Sequence, residues 1–156
     1  MDDDATGDGE TDDRDAGERP AAVPLLVVDA ANVVGSVPDG WWRDRLGAAE
    51  RLRDALVTVA ARGVTGGEGA PPWCRTGPLE VVLVVEGAAR GTAEVAQVRV
   101  VAASGSGDDR IVGVVERAVA AHPGRRCLVV TADRELRSRV AAHGALVTGP
   151  RAVWPV

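Results

Sequence analysis

The 156-residue sequence contains no phenylalanine, no tyrosine and no lysine. Without Phe or Tyr the core has to be built from Val, Leu, Ala and the four Trp, and few rings remain to stack on unpaired bases. Without Lys, all 18 basic residues are Arg. The bias toward Ala, Arg, Gly and Val fits a GC-rich coding sequence, which speaks of source rather than chemistry. Only two cysteines occur, Cys74 and Cys127, far apart and in no CxxC pattern. That excludes a disulfide scaffold and points to a reduced, cytoplasmic setting. The N-terminus is acidic and lacks an apolar run, so no signal peptide is expected. No apolar stretch approaches the roughly 18–20 residues of a membrane span, so no membrane partner is expected.

What is present reads as one globular domain behind an acidic tail. Hydrophobic residues make up 46% of the chain, enough for a real core. The net charge of −5 hides an asymmetry. Residues 1–20 carry nine acids against Arg14 and Arg19, and the rest carries 14 acids against 16 arginines. The first segment is therefore expected to be a disordered acidic tail, with the domain spanning 21–156. A tail that mimics a polyanion and shields the site is the functional alternative. The domain itself is near neutral, which argues against the strongly basic surface of a tight nucleic-acid binder.

Within the domain, short apolar runs alternate with helical patterns. Val23–Val28 reads as a strand buried on both faces and Val81–Val85 as a second buried strand, with Val98–Ala102, Leu128–Thr131 and Ala145–Thr148 as three further strands. From Trp42, apolar residues recur at helical spacing through Leu46, Ala49, Leu52, Leu56 and Val59 to a stop near Gly63. Residues 63–78 are rich in Gly and Pro and read as a long loop. Gly87 to Gln97 is a short helix or an irregular crossover. Helices are predicted over Asp108–Ala121, with Ile111, Val112, Val115, Ala118 and Val119 inward, and over Asp133–Ala142. Trp42 is expected in the core with Trp41 at the surface, against the alternative of an aromatic platform or dimer patch. Trp154 is expected to pack the last segment down. Strands alternating with helices give an α/β fold with a central parallel sheet, whose strands present their carboxyl ends at one edge.

That edge collects acids. Asp29 follows the first strand, Glu86 the second, Asp108 and Asp109 lie between the third strand and its helix, and Asp133 follows the fourth. Each has an ordinary explanation, because Asp is a favoured helix cap and acids suit the positive end of a helix dipole. Glu86 reads equally as a solvated loop acid. Asp29 ends a buried run, and an enclosed carboxylate needs a partner. Together the acids would repel one another unless a cation neutralised them, and a hard divalent ion takes oxygen ligands. Neither His122 nor His143 stands at these junctions, which disfavours zinc and leaves both as surface residues.

The motifs resemble a known superfamily. Val-Val-Asp29-Ala-Ala-Asn32 looks like the opening strand of NYN domains. Ser-Gly-Ser-Gly-Asp108-Asp109 is similar to the central acidic motif of NYN, PIN and flap-endonuclease-like domains. Val-Thr131-Ala-Asp133-Arg134 looks like their later strand motif, and Val-Val-Glu86-Gly falls where relatives often carry an acid, commonly Asp. The resemblance runs from about Leu25 to Val147. It implies a Rossmann-like three-layer PIN-like fold, Mg²⁺ or Mn²⁺, and hydrolysis of phosphodiester bonds in RNA. Asp29, Asp108, Asp109 and Asp133 would be catalytic, with Asp29, Glu86, Asp108 and Asp133 around the metal. Asn32, Thr131, Arg134 and Arg90 would contact the substrate or support the acids. Arg43, Arg45 and Arg110 are further candidates for phosphate contacts, each also readable as a surface arginine. RNA is the implied partner, and a homodimer or a partner protein stays open.

Two other classes compete. One is a non-catalytic RNA- or protein-binding module on the same fold. The other is a nucleotide-binding protein in which Ser104–Gly107 cradles a phosphate at a helix start. The Gly-Ser-Gly-Asp-Asp sequence matches neither the P-loop nor the dinucleotide fingerprint, and two acids would repel a bound phosphate.

Overall fold

A computed structural model describes residues 22–155, so the expected acidic tail lies outside the described residues. Five strands form one parallel sheet: β1 (Leu25–Asp29), β2 (Glu80–Val85), β3 (Val98–Ala102), β4 (Cys127–Val130) and β5 (Leu146–Thr148), in the spatial order β3-β2-β1-β4-β5. Between them run α1 (Ala30–Gly35), α2 (Arg45–Arg62), α3 (Gly107–Ala121) and α4 (Arg134–Ala141). The expected α/β architecture with a central parallel sheet is what the chain adopts.

Alternation along the strands divides the core in two, because successive side chains point to opposite faces. Leu26, Val28, Leu83 and Leu128 meet Val33 of α1 and Leu52 and Leu56 of α2 on one face. Leu25, Val27, Val82 and Val129 meet Ile111 and Val115 of α3 and Leu136 and Val140 of α4 on the other. Each such buried side chain contributes about 1.5–3 kcal/mol, so Val, Leu and Ile supply the core that Phe and Tyr do not. The two thiols fall into different layers: Cys74 is buried in the α1/α2 core and Cys127 in the α3/α4 core. Burial pushes both thiols up, Cys127 to about 11.

Several local expectations are corrected. Helix α1 was not expected, since it is under two turns long and too short to show a period. The helix expected from Trp42 begins at Arg45, because Gly40 turns the chain at φ 87° and Asp44 then caps α2 by accepting from the Gly47 N–H. Trp41–Arg43 is a single 3₁₀ turn, and it reverses the expected roles of the two tryptophans. Trp41 packs against the core, whereas Trp42 is 52% exposed. Leu46 sits on the outer first turn of α2 and is exposed. The 63–78 loop is tied down: Val64, Ala70 and Cys74 are buried, and the Val64 N–H donates to the Cys74 carbonyl. Gly63 at its start has φ 91° and lies against the Arg75–Thr76 backbone, leaving no room for a Cβ. Gly87–Gly91 is a 3₁₀ turn, which settles the 87–97 segment as mostly irregular. Trp154 packs against the α1/α2 core as expected. His122 is exposed and His143 half-exposed.

Candidate active site

All strand pairings are parallel, so β1, β2, β3 and β4 end at the same edge. The chain proceeds outward from β1 through β2 to β3 and then returns to place β4 on the other side of β1. The β1/β4 boundary is therefore the switch point at which open α/β sheets form a crevice. Asp29 is the last residue of β1, and Thr131 directly follows β4.

Side chains bridge this crevice. Thr131, fully buried, donates its hydroxyl to Asp29 Oδ2 at 3.0 Å and accepts the Asp133 N–H at 3.2 Å. Asn32 Oδ1 accepts the Ala132 N–H at 2.9 Å, while the Asn32 N–H donates to Asp29 Oδ1 at 3.3 Å. Thr131 thus couples two of the acids, and Asn32 ties the start of α1 to the turn before α4. Thr131→Val keeps the shape but leaves an Asp29 oxygen without its donor. It is expected to cost about 1–3 kcal/mol in urea unfolding, the usual cost of a buried polar group losing its partner. A change below a few tenths of a kcal/mol would mean that water replaces the hydroxyl.

Asp29 is only 6% exposed. Desolvation raises its pKa from 3.8 to about 6, against the lowering effect of the Thr131 and Asn32 bonds, and the charges of Asp108 and Glu86 push it further up. Asp108 is also raised, first by desolvation and then by the charges of Asp133 and Glu86, with Arg139 opposing. Asp29, Glu86, Asp108 and Asp133 therefore share one electrostatic neighbourhood.

The capping explanation divides these acids. Asp133 does cap α4, accepting the Leu136 N–H at 3.0 Å, and Asp29 caps α1 through the Asn32 N–H. Asp108 caps nothing, because Ser106 takes that role by accepting the Asp108 N–H at 3.2 Å. Glu86 is drawn inward across the β2/β3 edge, where its Oε2 accepts the Gly107 N–H at 2.5 Å. A Cβ on Gly107 would collide with that carboxylate, so the glycine is what lets Glu86 approach. Ser106 and Gly107, expected only as part of a flexible loop or phosphate cradle, contribute instead by capping α3 and by holding Glu86. Ser-Gly-Asp before a helix carries a capping signal, whereas the Glu86 contact bridges 21 residues and leaves no local pattern.

Asp109 stands apart from the other four acids. It is exposed and pairs with Arg139 at 2.9 Å, an arrangement of little energetic weight. Arg134 is exposed in the first turn of α4, and Arg90 is exposed with its Nε donating to the Gly87 carbonyl at 3.3 Å. Beside Glu86 a shallow cleft is lined by Ala30, Val34, Trp41, Arg45 and Ala89, with the Arg45 guanidinium 5.4 Å from the centre of the Trp41 ring.

Among the described residues, no three His, Cys, Asp or Glu side chains converge closely enough to hold a metal ion directly. The donor set is nonetheless all carboxylate, partly desolvated and mutually repelling. That chemistry fits a hard cation that keeps most of its water and takes one or two direct carboxylates, as Mg²⁺ does.

No protein-family model and no curated protein matches the chain. Among solved structures it is similar to Rae1 (YacP) from Bacillus subtilis, with 18% identity and a TM-score of 0.59. The alignment with a point mutant of that protein covers 84% of this chain and 72% of the other, and a second crystal structure gives 83% and 71%. The likeness bears on the fold, a PIN-like α/β arrangement of helices on both faces of a five-stranded parallel sheet. Among the described residues, no helix is long and apolar enough to cross a membrane.

Proposed function

We propose that this protein is a metal-dependent nuclease that hydrolyses phosphodiester bonds, with RNA as its substrate. The observation that carries the reading is Asp29, a buried carboxylate raised to about 6 at the switch point of a parallel sheet and repelled by Asp108 and Glu86. A fold keeps such an anion at a cost unless a cation neutralises it.

In this reading Asp29, Glu86, Asp108 and Asp133 would together hold Mg²⁺ or Mn²⁺. The cation, when bound, supplies an activated water and neutralises charge on the phosphate. The protein's own part is orientation. Thr131 and the Asn32 N–H hold the two oxygens of Asp29, the Gly107 N–H holds Glu86, and the Leu136 N–H holds Asp133. Arg134 and Arg90 are exposed near the acids and would meet the flanking phosphates. Asp109, paired with Arg139, would act through surface charge rather than at the metal.

The test is cleavage of end-labelled single-stranded and hairpin RNA in Mn²⁺, in Mg²⁺ and in EDTA. Cutting that needs the cation and stops with chelator is the expected result. RNA binding without turnover, indifferent to chelator, would replace this reading with a non-catalytic binding module.

A further inference from the structure

On its α3/α4 face the sheet is covered only in part at its β3 edge. Helix α3 lies over β1 and β2 and buries Val101 near the carboxyl end of β3, while Arg99 near the start of that edge strand stays exposed beside it. A groove runs between α3 and β3, with Leu25 and Val82 in its floor and Arg99, Arg110, Arg117 and Arg125 along its walls. The one acid lining it among the described residues is Glu80, which Arg125 neutralises at 2.6 Å. Arg125 is held in place by two further bonds to the Val23 carbonyl. Arg99, Arg110 and Arg117 make no ion pair and no side-chain hydrogen bond among the described residues. Three arginines unpaired among the described residues thus face a groove whose own acid is already cancelled.

The groove also has a direction. Arg110 lies in the first turn of α3, two residues after Asp108, and Arg117 follows two turns further along the same face, on the order of 10 Å away. The arginine row therefore runs along α3 from its first turn toward the amino ends of β1 and β2, where Leu25, Glu80 and Arg125 line the same groove. No aromatic side chain lines the groove, so it offers charge and forked donors but nothing for a base to stack on.

We propose that this groove is a phosphate track for one RNA strand, holding the flank of the strand whose reacting phosphate lies at the acidic edge; the assignment rests on the nuclease reading above. Arg99, Arg110 and Arg117 neutralise successive phosphates without reading sequence, since contacts to the backbone position a strand and carry no base information. The groove sets four arginines against a single, already paired acid, which gives a near-neutral domain a local positive strip for a polyanion.

The experiment is fluorescence anisotropy of labelled 12-nucleotide single-stranded RNAs of two unrelated sequences with the full chain, in EDTA, across 50–200 mM salt. The triple variant Arg99→Gln/Arg110→Gln/Arg117→Gln is expected to bind roughly tenfold more weakly at the low-salt end. Its plot of log affinity against log salt should be flatter by about 2, the change expected when three phosphates of a single strand are no longer neutralised. The loss should be equal for both sequences. A charge-matched control, Arg51→Gln/Arg62→Gln/Arg151→Gln, should leave affinity and slope unchanged. Unaltered binding by the triple variant, an equal loss in the control, or no binding by the parent chain overturns the track. A protein that binds through the groove but never cuts RNA keeps the track and loses the nuclease reading. One that cuts RNA and ignores the triple substitution does the reverse.

Discussion

Asp29→Asn is expected to abolish RNA cleavage while making the metal-free protein more stable. Removing a group that merely orients a metal ligand typically costs about 10–100-fold, and Asp29 is proposed as a ligand itself, so a loss of roughly a hundredfold or more is expected. The stability gain follows from burial. A carboxylate raised from 3.8 to about 6 is ionised at neutral pH at a cost of about 3 kcal/mol relative to the unfolded chain. Asparagine removes the charge and keeps the shape: its carbonyl still accepts the Asn32 N–H, and its amide donates to the Thr131 hydroxyl, which can rotate. A gain on the order of 1–3 kcal/mol at pH 7.5, or several degrees in Tm, is expected by calorimetry. A variant that cuts at the parental rate would remove Asp29 from the site. One that is inactive and also strongly destabilised would mean that the substitution broke the fold rather than the chemistry.

The second large effect couples pH to divalent cation. Because the folded-state pKa of Asp29 is raised, its stabilising contribution is fully present below pH 3.8 and is lost as pH rises through about 6. In EDTA, the difference in stability between Asp29→Asn and the parent should therefore open between pH 4 and 6 and level off above. Mn²⁺ or Mg²⁺ should reverse the parent's loss above pH 6, by about 2.7 kcal/mol at a hundredfold excess over Kd. At pH 5 the carboxyl is largely protonated and the cation should shift Tm little. The Asp29→Asn protein should show little response at either pH. A cation effect of equal size in the variant, or one independent of pH, would place the ion elsewhere on the molecule.

How much was legible in the sequence depended on the range of the interaction. The Val- and Leu-rich runs announced strands because the inner strands of a parallel sheet need continuous apolar segments, and all five strands lie within two residues of where those runs fall. The shared edge for Asp29, Glu86, Asp108 and Asp133 was legible for the same reason, since parallel strands bring their ends together whatever their order. What stayed hidden depended on distant partners. Asp108 and Asp109 are neighbours in sequence, yet Arg139, thirty residues on, draws one outward while Ser106 frees the other from capping. Trp41 and Trp42 were assigned in reverse because the helical period was extended back through a turn that Gly40 and Asp44 interrupt. The Arg99, Arg110 and Arg117 row was invisible as a unit because it joins a strand to a helix across the groove at the sheet edge.

The separation of the two thiols has a practical consequence. Cys74 and Cys127 lie on opposite sides of the sheet, both out of contact with solvent. With their thiols pushed up by burial, neither offers an appreciable thiolate to a labelling reagent in the closed state. Modification then has to wait for a fluctuation that exposes the sulfur, so each rate counts openings of its own half of the molecule. The chain carries two internal clocks, one for the α2 side and one for the α3/α4 side. Their ratio reports whether the two halves breathe independently or only together.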